Sequence, residues 1–241
     1  ASGKYIAFID SDDQVKPAML STLYDLLKEN DADMAACGVY NSISGHLTPQ
    51  TSKRLRFCCS GRDALKYMLE GQGIVNIWVC CKLYKKELID RTPFRKGRLY
   101  EDVFFMTDLA PRIRKAAVTT EPLYIYVHRS NSITGRCFKS RDTDIIDAYH
   151  GCIRMVRRHF PSLKNQVFFR YYWAHFYLLD KLLVSKDGEK APEYARMIRV
   201  LRKHTRQILA NPYFTKGRKL SALCLFFNIR LYRFISRHFH H

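Results

Sequence analysis

The first half of the chain alternates short apolar runs with amphipathic segments, a pattern typical of an α/β domain. Residues 5–9 are five apolar residues in a row, and such a run predicts a buried strand. Apolar residues at helical spacing over positions 19–27 predict a helix, and residues 34–40 predict the next strand. Strand, helix and strand form a βαβ unit, which implies a parallel sheet with helices packed against it.

Residues 41–127 continue this alternation. Residues 41–57 are polar and rich in turn-forming residues, which predicts a loop. Ser60 suits the N-cap of a short amphipathic helix that ends at Gly71. Beyond it the pattern predicts, in order, an apolar segment over residues 74–84, a short helix to Asp90, a helix from Glu101 to Pro111, and strands over residues 116–119 and 123–128.

The last hundred residues have a different pattern, with helical periodicity throughout. Helices are predicted over residues 142–159, 164–186, 190–210 and 217–238, with proline or glycine in the breaks. We therefore expect two parts, an α/β domain over residues 1–140 and an all-helical region over residues 141–241.

The formal net charge of +19 is concentrated in the second part. Residues 1–140 carry 21 Lys and Arg against 15 Asp and Glu, a net charge of +6, whereas residues 141–241 carry 20 against 7, a net charge of +13. Because a basic surface attracts anions, the helical region is expected to bind a membrane surface, a nucleic acid or a phosphorylated substrate.

The eight cysteines form two vicinal pairs and four single positions. This spacing matches neither the disulfide framework of a secreted protein nor a CxxC metal site, so we interpret them as reduced thiols in a cytoplasmic protein. The longest apolar run near the C-terminus, residues 222–227, is far shorter than a membrane-spanning helix. Because the chain opens within a few residues of a predicted core strand, we expect it to be a fragment that lacks its N-terminal portion.

Three carboxylates, Asp10, Asp12 and Asp13, directly follow the first predicted strand. Like charges this close raise one another's pKa unless a cation lies between them, and carboxylate oxygens are the ligands that hard divalent cations prefer. In open α/β sheets, ligands bind at the carboxyl ends of the strands. The three residues are therefore either a metal or ribose site or an acidic loop that caps the helix near Pro17.

A second acidic pair and a basic loop are further candidates. Glu101 and Asp102 lie at a predicted helix start, where one carboxylate can act as a general base or both can simply complement the helix dipole. Arg129, Ser130 and Ser132 follow a predicted strand. Their cationic and hydroxyl groups suit phosphate oxygens, and an ordinary polar loop is the alternative interpretation.

Motifs in a fixed order along residues 1–137 resemble family 2 glycosyltransferases, which have the GT-A fold. The motifs are the strand with Asp10-Ser11-Asp12-Asp13, which is similar to that family's DxD motif, then Lys82-Leu83-Tyr84, Tyr100-Glu101-Asp102, and Glu121-Pro122-Leu123-Tyr124-Ile125-Tyr126 with Arg129 and Ser132. Each motif alone is weakly specific, whereas the ordered set is strong. The resemblance implies that residues 1–140 are the C-terminal part of a GT-A, Rossmann-like catalytic domain.

The resemblance further implies metal-dependent transfer of a sugar from a nucleotide-sugar, most often a UDP-sugar, to a glycan or lipid-linked acceptor. Asp12 would hold Mn²⁺ or Mg²⁺ on the donor diphosphate, and Asp10 would lie close to the metal or the ribose. Asp13, Arg129 and Ser132 would complete the donor-binding side.

The same resemblance implies a role for the second acidic pair and a cellular setting. Asp102 would accept the proton of the attacking hydroxyl, with Glu101 the less suitable base, and a single displacement implies inversion at the anomeric carbon. The expected setting is synthesis of surface polysaccharide or a lipid-linked glycan at the cytoplasmic face of a membrane. Family members hold the nucleotide base with strands that precede the Ala1-Ser2-Gly3 point, in line with the expected missing portion.

The last predicted helix allows two interpretations. Its apolar and basic residues are Leu220, Leu223, Phe227, Leu231, Phe234 and Ile235, and Lys216, Arg218, Lys219, Arg230, Arg233 and Arg237. Such a helix either lies peripherally on anionic lipid or packs on the other helices with a solvated basic face. Rival functions are a basic helical module that binds nucleic acid or membrane without catalysis, and a metal-dependent phosphotransferase or nuclease. No recognised nucleic-acid motif occurs, so no nucleic acid is expected as a partner.

Overall fold

The computed structural model describes residues 2–129 and 137–239, without the side chains of residues 235 and 237–239. The chain forms two compact units, residues 1–134 and residues 135–241. The first is a mixed α/β unit and the second is helical, which confirms the fold class that the sequence pattern predicts.

The described residues of the first unit form seven strands and four α-helices. The strands are β1 Tyr5–Ala7, β2 Gln14–Val15, β3 Met34–Ile43, β4 His46–Pro49, β5 Arg56–Cys59, β6 Lys82–Lys85 and β7 Ala116–Val127. The helices are α1 Met19–Glu29, α2 Gly61–Glu70, α3 Lys86–Asp90 and α4 Glu101–Leu109, and a 3₁₀ helix, Ala110–Arg112, follows α4. Apolar residues of α1, among them Leu23 and Leu26, share a buried core with β3 and β6.

The strands form one sheet in the order β1-β6-β3-β7-β2, with β4 paired to β3 and β5 paired to β7. β3 and β7 are parallel, and the other described pairs are antiparallel. The predicted parallel sheet is therefore wrong in one respect. β1 and β3 run in the same direction, but β6 lies between them, with Tyr84 opposite both Ile6 and Met34. The βαβ pattern does not reveal β6 because this strand is short and comes from much later in the chain.

β1 is less buried than the run of apolar residues predicts. It pairs with β6 on one side, and no strand among the described residues covers its other edge. Its residues are half-buried, and Ile9 just beyond it is 47% exposed. Phe8 packs against Phe94 and Phe105, with ring centroids 5.3 and 6.1 Å apart. This aromatic contact anchors the backbone where the acidic residues begin.

The prediction of a loop over residues 41–57 is wrong for much of its length. β3 continues to Ile43 and turns at Ser44 and Gly45 into β4. Both turn residues have positive φ, 50° and 84°, as a two-residue hairpin of type I′ requires. The polar sequence hides this strand because β4 is exposed along its whole length.

Residues 116–127 form one long strand, β7, rather than the two short strands predicted. β7 pairs with β3, and the register shifts on either side of Gly38. A Cβ atom on Gly38 would lie 2.3 Å from the carbonyl oxygen of Thr120, so only glycine fits this close approach. β7 therefore runs unbroken from the buried Ala116 to Val127, which contacts the acidic loop.

The helix starts of the first unit follow the signals in the sequence. Ser60 Oγ accepts a hydrogen bond from the Asp63 N–H at 3.2 Å, and α2 ends at Gly71 with φ 68°, which confirms both predicted ends. α4 begins at Glu101, directly after Tyr100, whose φ is 58°. The second acidic pair therefore lies in a first helical turn, as predicted.

The described residues of the second unit form helices joined by short connections. The α-helices are α5 Asp144–His159, α6 Lys164–Val184, α7 Pro192–Lys203, α8 Thr205–Ala210, α9 Lys216–Phe227 and α10 Ile229–Phe239, and the 3₁₀ helices are Ser140–Thr143, Pro161–Leu163 and Gly188–Lys190. Two of the four predicted helices are divided, at His204 and at Asn228. In the interior, Lys181 Nζ lies 3.1 Å from Asp142 Oδ2. Among the described helices, none has the length and apolar character needed to cross a membrane.

Candidate active site

The three acidic residues after β1 form a tight turn that is tied to β7. The Asp13 N–H donates to the carbonyl oxygen of Asp10 at 3.1 Å. Asp13 Oδ2 accepts a hydrogen bond from Tyr124 Oη at 2.7 Å, and its Oδ1 accepts one from the Val127 N–H at 2.9 Å. Tyr124 Oη in turn accepts from the Asp10 N–H at 3.2 Å. Asp13 thus uses both carboxylate oxygens to hold the turn on the sheet.

Asp10 and Asp12 carry the other two carboxylates of the turn. Burial raises the pKa of Asp10 above its ordinary value, and so do the negative charges of three neighbours, Asp13, Asp12 and Glu101. Half of the Asp12 side chain is exposed, and Arg129 lies beside it. Arg129 Nη2 donates to the Asp12 carbonyl oxygen at 3.1 Å, and its Nε is 4.0 Å from Asp12 Oδ2. The structure therefore brings these acids and Arg129 together.

The turn suits a divalent cation that a bound ligand also helps to hold. Within residues 2–129 and 137–239, no three His, Cys, Asp or Glu side chains converge as a complete metal cage. Asp10 and Asp12 supply two carboxylates from one turn, and a cation would relieve the repulsion between them. Mg²⁺ in phosphate-handling sites is held by one or two carboxylates, with phosphate oxygens and water as its other ligands. The donor set of this turn fits that arrangement.

Asp102 is the member of the second acidic pair that the structure buries more deeply. Its Oδ1 accepts a hydrogen bond from the Val79 N–H at 3.2 Å, while Glu101 beside it is exposed. Burial is the main cause that raises the pKa of Asp102 to about 7, and the charges of Glu101 and Asp10 add to it. The Val79 hydrogen bond and the cation of Lys82 act in the opposite direction. A carboxylate with this pKa is well matched to proton transfer near neutral pH.

Lys82 is a fully buried cation in β6. Its Nζ donates to the carbonyl oxygen of Asn76 at 2.8 Å and to that of Trp78. A buried ammonium group is costly unless such partners surround it, so these contacts hold the segment before β6 in one conformation. The motif Lys82-Leu83-Tyr84 assigned no role to Lys82. A lysine inside an otherwise apolar segment is the signal that could have indicated its structural role.

Tyr84, two residues after Lys82 in β6, holds the same segment. Its side chain is fully buried, and its Oη donates to the Val79 carbonyl oxygen at 3.0 Å. Val79 is thereby fixed through its carbonyl group while its N–H donates to Asp102. Lys82 and Tyr84 together are called the β6 clamp. They fix the position of the Val79 N–H that donates to Asp102.

An aromatic surface continues from this segment. Trp78 packs against Tyr126 with ring centroids 4.9 Å apart, and Tyr126 packs against His128 at 4.7 Å. Trp78 and Tyr126 are partly exposed, and His128 is exposed. His128 Nε2 also lies 3.2 Å from Asn41 Oδ1. Sequence reasoning missed this surface because its residues come from three separate segments.

The predicted site residues fall into two groups. Those that the structure brings together are Asp10, Asp12, Asp13, Glu101, Asp102 and Arg129. Ser130 and Ser132 both lie outside the described residues, so their contact with phosphate stays a prediction.

The arrangement can be compared with known proteins. The model of the family described as glycosyl transferase family 2 matches residues 1–92, which contain the acidic turn and the β6 clamp. The first 92 residues of this chain belong to glycosyl transferase family 2. The family that the ordered motifs predicted is thereby confirmed.

Relatives of the chain that are named glycosyltransferases come from several bacteria. Glycosyltransferase GlyG of Streptococcus pneumoniae serotype 4 is 31% identical over 163 residues, which are 62% of this chain and 52% of GlyG. The uncharacterized glycosyltransferase EpsJ of Bacillus subtilis is 31% identical over 141 residues, which are 56% of this chain and 40% of EpsJ. The chain therefore spans about half or less of the length of these relatives.

A similar fold is also found among solved structures. The crystal structure of S. aureus TarS 1–349 in complex with UDP-GlcNAc superposes with a TM-score of 0.65 at 15% identity, covering 100% of this chain and 68% of that one. At this low identity the similarity concerns the fold. It confirms a GT-A-like α/β domain followed by a helical region.

Proposed function

We propose that this chain catalyses an inverting sugar transfer from a nucleotide-sugar, with a UDP-sugar as the donor, to a hydroxyl group of a glycan or lipid-linked acceptor. The observation that carries the proposal is Asp102, a buried carboxylate whose pKa is raised to about 7 beside the acidic turn of Asp10. The UDP-GlcNAc bound to TarS supports the choice of donor. The match of residues 1–92 to glycosyl transferase family 2 supports the reaction class.

The acidic turn is assigned to the donor diphosphate. Asp10 and Asp12 would hold Mn²⁺ or Mg²⁺, while Asp13 keeps the turn on β7 with both of its oxygens. The cation, when bound, neutralises charge that develops on the departing nucleotide diphosphate. Arg129 adds a positive charge on the same side, since its guanidinium lies against Asp12 and is exposed.

Asp102 is assigned to the acceptor. Its Oδ1 is engaged by the Val79 N–H, which leaves Oδ2 to accept the proton of the attacking hydroxyl. The hydroxyl oxygen then bonds to the anomeric carbon as the bond from that carbon to the diphosphate oxygen breaks, and the diphosphate keeps the electron pair. One displacement inverts the anomeric centre. The partly exposed rings of Trp78 and Tyr126 offer an apolar face for the acceptor sugar.

The experiment for this proposal is transfer from a panel of nucleotide-sugars by the full-length protein, with and without Mn²⁺ or Mg²⁺. The expected result is release of UDP from at least one UDP-sugar, with a product whose anomeric configuration, read by NMR, is opposite to that of the donor. A product of retained configuration would contradict the single displacement. Cleavage of the diphosphate without sugar transfer would favour the rival phosphotransferase.

We also propose that α9 and α10 contact an anionic membrane surface peripherally. Six large apolar side chains on these helices are 37% to 74% exposed, namely Leu220, Leu223, Phe226, Phe227, Leu231 and Phe234. The flanking sequence is strongly basic, because residues 194–241 contain eleven Lys and Arg and no Asp or Glu. Apolar side chains among cations are typical of helices that lie in a lipid interface. No disulfide joins cysteines of the described residues, which supports the reducing, cytoplasmic side.

Vesicle sedimentation tests this contact. The protein should sediment with phosphatidylglycerol vesicles, less with phosphatidylcholine vesicles, and less in high salt. Replacing Phe226 and Phe227 by serine should weaken binding at least about tenfold, whereas Val184→Ser, at an equally exposed apolar position of the second unit, should not. Equal binding to neutral and anionic vesicles would contradict the proposal and favour helices that pack on a protein partner.

A further inference from the structure

The second unit contains a cavity of about 470 Å³ that no part of the proposed function uses. It is lined by side chains of α5, α6 and α8 and of the segments beside them, including Arg157, Phe168, Tyr172 and Gln207. Its volume is within the range of pockets that bind small ligands. The chemistry of its lining residues indicates which ligand it fits.

The polar groups of the cavity are held in place by hydrogen bonds to one another and to the backbone. Tyr172 and Asn211 are 2% and 6% exposed. Tyr172 Oη donates to Gln207 Oε1 at 2.7 Å, and His204 Nδ1 contacts the same oxygen. Because its oxygen is engaged in this way, the Gln207 amide NH₂ is left to donate to another group. Asn211 is fixed by donation from Nδ2 to the Asn165 carbonyl oxygen at 2.8 Å.

The lining combines positive charge with aromatic faces. Arg157 and Lys164 both line the cavity, and no carboxylate is among the described residues that do so. The Arg157 guanidinium lies 5.9 Å from the centroid of the Phe168 ring, and Phe168 stacks with Tyr172 at a centroid distance of 5.9 Å. Arginine and lysine bind phosphate oxygens through charge-assisted hydrogen bonds. Aromatic faces with nearby amides suit the C–H faces and hydroxyls of a sugar ring.

We propose that this cavity binds a phosphate-bearing sugar unit of the acceptor chain. Arg157 and Lys164 would bind the phosphate. The Phe168 ring would pack against a face of the sugar, and the Gln207 amide would donate a hydrogen bond to a hydroxyl. This inference rests on the proposed transferase function and deepens it, because it names an anionic glycan as the acceptor class. The second unit would thus hold the acceptor chain, while the first unit carries the transfer residues.

Calorimetry on the full-length protein with a chelator present tests the proposal. The probes are glucose 6-phosphate, glucose, inorganic phosphate and a short single-stranded oligonucleotide. Glucose 6-phosphate should bind more tightly than either glucose or phosphate, since it alone engages both parts of the cavity. The Arg157→Gln/Lys164→Gln variant should bind it at least about tenfold more weakly. The Arg158→Gln/Lys203→Gln variant removes the same charge from exposed positions that do not line the cavity, and should bind within about twofold of wild type.

Three results would overturn the proposal. Phosphate that binds as tightly as glucose 6-phosphate would identify a simple anion site, and an oligonucleotide that binds more tightly would identify a nucleic-acid site. Equal weakening in both double variants would assign the effect to general charge. Saturation transfer from protein aromatic protons to the sugar ring should be lost in Phe168→Leu, with circular dichroism as the check on folding.

Failure of this inference can be distinguished from failure of the transferase proposal. Under the proposed function, hydrolysis of a UDP-sugar in the absence of acceptor would use only residues of the first unit, so the Arg157→Gln/Lys164→Gln variant should retain it. Retained hydrolysis with unchanged binding of glucose 6-phosphate would overturn the cavity assignment alone. Absence of UDP-sugar hydrolysis in wild type would overturn the transferase proposal, whatever the cavity binds.

Discussion

The raised pKa of Asp102 predicts that replacing this residue stabilises the protein in a pH-dependent way. The ordinary pKa of an aspartate is 3.8, and burial raises that of Asp102 to about 7. Above about pH 4 the unfolded chain loses the Asp102 proton, while the native protein keeps it until about pH 7. Because the native state binds more protons in this window, the stability of wild type falls as the pH rises through it.

The size of the effect follows from the difference between the two pKa values. A pKa that rises from 3.8 to about 7 lowers the free energy of unfolding by about 4 kcal/mol once both states are ionised. About 3 kcal/mol of this loss falls between about pH 5 and about pH 8. The Asp102→Asn variant has no titrating group here, and its amide oxygen can still accept from the Val79 N–H. It should therefore gain about 3 kcal/mol relative to wild type between these two pH values.

Urea denaturation at both pH values, with a chelator present, measures this gain, and an unchanged slope against urea validates the comparison. Glu101→Gln is the matched control, because it removes a neighbouring but exposed carboxylate, and its gain should stay below about 1 kcal/mol. If the gap between wild type and Asp102→Asn were the same at both pH values, the raised pKa of Asp102 would be refuted, and with it the argument for a general base.

Three further predictions concern the cation, the β6 clamp and the sheet. Calorimetry should show that Asp12→Ala weakens UDP-sugar binding at least about tenfold in the presence of Mn²⁺ but not in its absence. Equal affinities of Asp12→Ala and wild type in the presence of Mn²⁺ would argue against a cation at the turn. Lys82→Met leaves two backbone carbonyl oxygens without their donor and should lower the free energy of unfolding by about 2–4 kcal/mol, whereas Lys86→Met, at a more exposed position, should change it little. Gly38→Ala should lower the free energy of unfolding by about 1–3 kcal/mol or more, because its Cβ would lie 2.3 Å from a backbone oxygen. Gly217→Ala, with open space around the new Cβ, should change the free energy of unfolding little when both variants are measured by thermal denaturation.

Local signals made the helices predictable from the sequence. Ser60 with Asp63, and the acidic pair at Glu101, mark helix starts through interactions within a few residues, so no knowledge of the sheet is needed. The hairpin at Ser44 and Gly45 was not predictable in the same way. Its second strand, β4, is exposed along its whole length, and an exposed strand has little of the apolar alternation that normally reveals one.

Long-range contacts account for what the sequence could not provide. The position of β6 depends on Tyr84 fitting between β1 and β3, and residues far apart in the chain determine that fit. The motif series placed Asp102 among the candidates, but its basicity depends on burial and on the Val79 N–H donor that the clamp of Lys82 positions. Burial of that kind is a property of the fold and has no local signature.

The central claim is that Asp102 accepts the acceptor proton beside a donor site built on Asp10 and Asp12. Its most direct test is UDP release from a UDP-sugar by the full-length protein at about pH 8, measured beside calorimetric affinity for the same donor. Asp102→Asn should bind the donor as tightly as wild type and turn it over at least about hundredfold more slowly, with Glu101→Gln much less affected. Turnover at the wild-type rate in Asp102→Asn would contradict the claim.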